Sequence, residues 1–252
     1  MSLAREILST LSVTGISSIK HLGRKLGANL RDVEAAIHQI NQGPTFITRL
    51  EGEMVMLSQV SERLCAEKIR AVAGLDADRF SFEVTAKTAS TNDDLLALIR
   101  AGQAQDRLIR IAETQTAGRG TKGRQWISIP GGSVTFSMLR SVSSAAMLRG
   151  IATIPLVVGL SLVRSINALA DVDCRLKWPN DILFDKQKLA GVLIESTSIS
   201  GQCFVVIGIG VNICLPQTLI KDIDQPAIDL HSLGASIDRN VLVGSAVLEL
   251  DN

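Results

Sequence analysis

The chain has 252 residues, is 46% hydrophobic and carries 26 lysines and arginines against 25 aspartates and glutamates, a net charge of +1. That length suits one domain of ordinary size plus a small one. The balanced charge excludes bulk electrostatics as a basis for binding nucleic acid or a membrane surface. Cys65, Cys174, Cys203 and Cys214 form no C-x-x-C pair. They are expected to be reduced, mostly buried thiols of a cytoplasmic protein, without a metal or disulfide role. The N-terminus shows no signal-peptide pattern.

The first sixty residues have their own rhythm. AREILSTL (4–11) reads as an amphipathic helix, and ISSIKHLGRKLG (16–27) as a second with Gly27 as its stop. LRDVEAAIHQI (30–40) places Val33, Ala36, Ile37 and Ile40 on one helical face, with Asn29 as N-cap. TFITRLEGEMVML (45–57) reads as a β-hairpin around Gly52. Three helices and a hairpin in this order resemble a winged helix-turn-helix domain over 1–60. Its charge argues the other way. Six cations face five carboxylates, and Asp32, Glu34, Glu51 and Glu53 stand where phosphate contacts need cations. A small interaction or dimerisation module without DNA contact is the competing reading.

SERLCAEKIRAVAG (61–74) reads as a connecting helix with Ser61 as cap and Gly74 as stop. FSFEVTA (80–86) is a strand, and STNDDLLALIRAG (90–102) a helix capped near Thr91 with Asp93 and Asp94 in its first turn. LIRIAET (108–114) is a strand that leads into QTAGRGTKGRQW (115–126), where Gly118, Gly120 and Gly123 fit G-x-G-x-x-G. A dinucleotide site needs a helix starting inside that motif. Here ISIPGGSVTFSML follows instead, two strand-like runs punctuated by Pro130-Gly131-Gly132. The uncharged run from Gly150 to Val163 is too short for a membrane span and reads as a buried core helix with Pro155 near its first turn. CRLKW, DILF, KLAGVLIE and CFVVIGIGVNI complete an α+β domain over 61–252, with a mixed, largely antiparallel sheet and helices against it.

Four stretches stand out: STN (90–92), QTAGRGTKGRQW (115–126), KWPND (177–181) with KLAGVLIE (188–195), and GIGVN (208–212). Taken singly, each has a plain structural explanation: a helix cap, a turn, a core strand, a strand end. Taken together, in this order and spacing, they closely resemble the biotin protein ligases. The winged front makes the whole chain similar to the bifunctional ligase and biotin-operon repressor type.

The resemblance implies a fold like that of class II aminoacyl-tRNA synthetases. It also implies an ATP-dependent reaction in which biotin becomes biotinyl-5′-AMP and passes to a lysine of a carrier domain. By the same resemblance, Lys177 and Arg119 are the catalytic cations. Ser90, Thr91, Asn92, Gln115, Gly118, Gly120, Gly208 and Gly210 join them around biotin. Thr121, Lys122, Arg124, Trp126, Asn180 and Asn212 border the nucleotide, and Asp181 supports Mg²⁺. The glycine loop becomes a lid whose closure keeps water from the mixed anhydride. Operator DNA and a homodimer are implied as partners, and no membrane.

Two departures from the family pattern stand out. Thr121 occupies the place of a second loop arginine, and losing such a charge-assisted contact costs about 1.5–3 kcal/mol. That implies a looser grip on the adenylate. The chain also stops at VLVGSAVLELDN, inside an expected helix and ahead of the family's small C-terminal β-barrel-like domain. Competing readings are a biotin- or biotinyl-AMP-responsive DNA-binding regulator with weak or no ligase activity and a lipoyl-type acyltransferase.

Overall fold

The computed structural model describes every residue except 1, 15, 42–46, 50–52, 58–62, 75–78, 145–149, 151, 216–219, 221–222, 224 and 252. The chain divides into two compact units, residues 1–63 with 130–132, and residues 64–129 with 133–252.

In the first unit, helices α1 (Leu3–Thr14), α2 (Ile19–Leu26) and α3 (Leu30–Ile40) accompany strands β1 (Ile16–Ser18), β2 (Ile47–Arg49) and β3 (Met54–Leu57). The strands form an antiparallel sheet in the order β1-β3-β2. Ile7, Leu11, Leu22, Val33, Ile37 and Val55 are buried together as its core. Asn29 caps α3 by accepting from the Asp32 backbone N–H at 2.9 Å. The helix expected from residue 16 instead begins at Ile19. Ser18 caps it by accepting from the His21 N–H, and Ile16 pairs with Met56 on β3. Cross-strand pairing, which no local pattern announces, takes these three residues from the helix. The hairpin tip around Gly52 lies outside the described residues.

The second unit comprises α4 (Ala66–Ala73), β4 (Ser81–Thr85), α5 (Thr91–Arg100), β5 (Leu108–Ala112), β6 (Ser133–Val142), α6 (Ile154–Ala170), β7 (Arg175–Lys177), β8 (Asp181–Phe184), β9 (Gln187–Ile199), β10 (Gln202–Asn212) and α7 (Arg239–Asp251). Its seven strands run in the order β4-β5-β6-β10-β9-β8-β7. Only the β4–β5 pair is parallel. Leu95 and Ile99 of α5 pack on Leu108, Leu139 and Val206.

Two expectations change. α4 begins at Ala66, not near Ser61, and Ser61 lies outside the described residues. The residues just before it are held by distant side chains: Leu64 N–H donates to Glu113 at 2.7 Å and Cys65 N–H to Asn240 at 2.7 Å. Glu113 in turn receives the fully buried Arg239 at 2.6 Å. α6 is buried on one face only. Val158, Leu162 and Ile166 point inward, while Val157 remains 58% exposed and Leu160 46%. Among the described residues no helix is long and apolar enough to cross a membrane. None of the four cysteines is in a disulfide, and Cys174, Cys203 and Cys214 are buried.

Candidate active site

The site is built on cross-strand rows of the sheet. Antiparallel register sets Gly191, Gly210 and Thr135 side by side on β9, β10 and β6, and the next row on the same face holds Leu193, Gly208 and Ser137. Glycine is required in both rows. A Cβ on Gly208 would strike the Asn92 amide, and one on Gly210 the Trp126 indole. The sheet thus gives up side-chain volume where α5 and the glycine loop lie against it.

The α5 N-terminus supplies one wall. Ser90 caps the helix, and Thr91 N–H donates to Gln115 Oε1 at 2.7 Å. Thr91 Oγ1 also lies 2.6 Å from Ser137 Oγ, and Ser137 donates to Asn92 Oδ1 at 2.6 Å. Asn92 Nδ2 donates to Glu195 at 2.8 Å. One polar chain therefore joins α5, β6, β9 and Gln115 at the start of the loop.

The loop is a tight hairpin of its own. Gly120 N–H donates to Arg124 O at 2.7 Å and Trp126 N–H to Gly118 O at 2.9 Å. Lys122 sits at its tip with φ 59° inside a single 3₁₀ turn, Thr121–Gly123. No α-helix starts within the loop, as expected. Arg119 donates to both Glu195 oxygens, at 2.9 and 2.7 Å, and to Asp93 at 2.6 Å. Pairing with Glu195, and to a lesser degree with Asp93, holds its guanidinium above the ordinary arginine range.

These elements enclose two adjoining cavities. The first, an open cleft, gathers Ser90, Thr91, Asn92, Gln115, Arg119, Gly120, Thr121, Trp126, Asn180, Gly208 and Gly210. It also takes Thr135, Phe136, Val192, Leu193 and Ile209, which sequence reading missed because ordinary strand residues carry no chemical signature. The second brings Arg124, Trp126 and Asn212 together with Ile127, Ile223, Gln225 and Ala227. Asn212 Nδ2 donates to the carbonyls of Lys188 and Ile228, and Arg124 to Gln225 at 2.9 Å. Gly118 lies behind the wall, where a Cβ would press on the Trp126 carbonyl and the Gln115 amide.

Lys177 is not in the site. It ends the edge strand β7 with its side chain exposed, lining a separate depression with Arg175, Phe184 and Lys186. Lys188 is in the site instead. It lines both cavities, with its Nζ 2.7 Å from Asp181 Oδ1 and 5.8 Å from the centre of the Trp126 ring. The β8–β9 hairpin accounts for the difference by carrying the second lysine back over the sheet. Lys188 was visible as the first residue of KLAGVLIE, and Glu195 as its last. Asp181 borders neither cavity and is committed to Lys188. Among the described residues no three His, Cys, Asp or Glu side chains cluster as a metal site.

Residues 84–212 match the Biotin/lipoate A/B protein ligase family, and the chain belongs to it. Over 247 residues it is 30% identical to the bifunctional ligase/repressor BirA of Escherichia coli, covering 97% of this chain and 74% of that protein. It is 37% identical over 174 residues to the biotin–[acetyl-CoA-carboxylase] ligase of Mycobacterium tuberculosis, covering 67% of this chain and 62% of the relative. Among solved structures it resembles the Aquifex aeolicus biotin protein ligase in complex with biotin and ATP, at 26% identity and TM-score 0.56 over 68% of each chain.

Proposed function

We propose that the protein is an ATP-dependent biotin–protein ligase. The observation that carries this reading is Lys188, a cation on the wall common to two cavities. A carboxylate in the first cavity and an α-phosphate in the second would meet at that ammonium. In the first half-reaction a biotin carboxylate oxygen attacks the α-phosphorus, and pyrophosphate leaves with the bond to the β-phosphate. The two reactants are both anions, so the barrier falls where positive charge stands between them. Lys188 suits this place as a compact charge with three donors, held by its ion pair with Asp181. In the second half-reaction an acceptor lysine amine attacks the acyl carbon, and AMP leaves.

The first cavity offers biotin the Ser90–Thr91–Gln115 donor and acceptor set above a glycine floor. The second offers a base the Trp126 face and the Asn212 and Gln225 amides. Mg²⁺ would arrive with the nucleotide phosphates, because Asp181 is already paired and among the described residues no carboxylate cluster stands ready for it. Such an ion would supply further charge neutralisation at the phosphates. Biotin-dependent exchange of labelled pyrophosphate into ATP tests the first half-reaction, and its absence with folded protein would overturn the reading.

The first unit supports a second role. Its order of helix, strand, two helices and two strands supports reading it as a winged helix-turn-helix, as does the match to the E. coli repressor along 97% of the chain. We assign it operator binding modulated by biotinyl-AMP, in a cytoplasmic homodimer. Mobility shift on biotin-operon DNA tests this, and no shift even at low salt would sink it.

A further inference from the structure

We infer that Arg110, which borders neither cavity, is a positioning residue that sets the biotin wall by holding the first turn of α5 to the sheet. This role rests on the ligase reading and concerns biotin's side of the site, not the nucleotide's.

Arg110 belongs to the same cross-strand row as the cavity floor. Register places Glu83, Arg110, Ser137, Gly208 and Leu193 side by side on β4, β5, β6, β10 and β9. Residues opposite one another on neighbouring strands put their side chains on one face of the sheet. The face in question is the one that carries α5, because Leu108, two residues before Arg110, packs with Leu95 and Ile99. The helix therefore meets one row at two neighbouring points. Ser137 bonds Thr91 and Asn92, and one strand further out Arg110 bonds Asp94.

The outer point fixes orientation as well as distance. Arg110 Nε donates to Asp94 Oδ2 at 3.0 Å, and its Nη1 donates to Glu83 at 2.9 Å. Held from both sides, the planar guanidinium has one way to face α5. The other oxygen of Asp94 accepts from Thr88 Oγ1 at 2.8 Å. Thr88 precedes the helix and Asp94 lies in its first turn, so Ser90, Thr91 and Asn92 are bracketed by a single bonded pair. Arg110, Asp94 and Glu83 are all partly exposed. Ion pairs of that kind add little to global stability, so the effect of this one is local.

The test reads biotin and ATP separately. Arg110→Met keeps an apolar stem and removes the fork. Arg140→Met does the same to a comparably exposed cation on β6 that faces Asp106, and serves as the control. In biotin-dependent pyrophosphate exchange, Arg110→Met should raise KM for biotin about tenfold, with kcat and KM for ATP within about twofold of wild type. Arg140→Met should leave all three near wild type. Asp94→Asn keeps an acceptor for Thr88 and loses the charge that faces Arg110. It should reproduce the biotin effect, and it stands in if Arg110→Met fails to fold. The double variant should be no worse than the poorer single one.

A second readout needs no turnover. Amide hydrogen exchange in the peptide spanning 90–97 should be at least about fivefold faster in Arg110→Met than in wild type, and unchanged in Arg140→Met. Unchanged exchange in Arg110→Met would overturn the positioning role. So would equal rises in KM for biotin and ATP, or equal effects of Arg110→Met and the control. If the wild-type protein exchanges no pyrophosphate, the ligase reading fails, while hydrogen exchange still decides whether Arg110 holds the α5 N-terminus.

Discussion

Lys188 Nζ lies 2.7 Å from the Asp181 carboxylate, with both side chains almost withdrawn from solvent at 12% and 14% exposure. The pair crosses the β8–β9 hairpin and fixes the ammonium at the wall between two cavities. Removing that charge should cost the reaction far more than it costs the fold. Lys188→Ala is expected to lower biotin-dependent adenylate formation by at least a hundredfold, while Lys177→Ala stays within about threefold of wild type. Equal losses in the two variants, measured as initial rates, would return the role to neither lysine.

Which lysine matters was not legible in the sequence. Lys177 and Lys188 stand on either side of β8, each inside a conspicuous motif, and only strand order separates the exposed one on the edge strand β7 from the one on β9 in the site. Glu195 was equally hidden, because its partners Arg119 and Asn92 are 76 and 103 residues away. By contrast, Ser90, Gln115, Gly208 and Gly210 could be read, because they stand in the motifs that carry the family resemblance. The fold was legible for a similar reason: α3 and β10 follow their own periodicities. Ile16–Ser18 was not, since its strand exists only by pairing with β3.

Gly210→Ala probes the cross-strand glycine pair. The added methyl would occupy the place of the Trp126 indole, and a displaced ring would disturb both cavities at once. Affinities for biotin and ATP are expected to fall together, about tenfold or more each, with a shift in Trp126 emission measured in a Trp178→Phe background. Loss of one affinity alone would contradict the shared wall.

Thr121 lines the first cavity, and its hydroxyl accepts from Arg124 at 3.3 Å. Thr121→Arg would add a guanidinium at the mouth without displacing a buried side chain. Biotinyl-AMP should then dissociate about ten- to a hundredfold more slowly, in line with one charge-assisted bond of about 1.5–3 kcal/mol. An unchanged off-rate would show that the threonine does not loosen the grip.

Burial, and after it the Asp173 carboxylate, push the Cys174 thiol up from 9.0 to about 11. The folded value lies above the unfolded one, so this contribution to stability is fully present below pH 9. It is lost as the pH rises through 11, where the fold must hold a thiolate. At pH 8, Cys174 should therefore be alkylated much more slowly than the half-exposed Cys65. Equal labelling in the native protein would refute the burial argument.

Arg239 and Glu113 form a fully buried pair that also holds the Leu64 backbone. Arg239→Met leaves a buried carboxylate without its cation, and is expected to cost about 3–5 kcal/mol of unfolding free energy. Urea denaturation measures this, and a loss below about 1 kcal/mol would show that the pair contributes little.

The central claim is tested most directly by mixing the purified protein with biotin, Mg-ATP and a biotin carboxyl carrier domain and identifying the products by mass spectrometry, with lipoate replacing biotin in parallel. The account predicts biotinyl-AMP, AMP and a carrier modified on one lysine, and no lipoylated product. Neither adenylate nor modified carrier from biotin, or transfer of lipoate in its place, would contradict it.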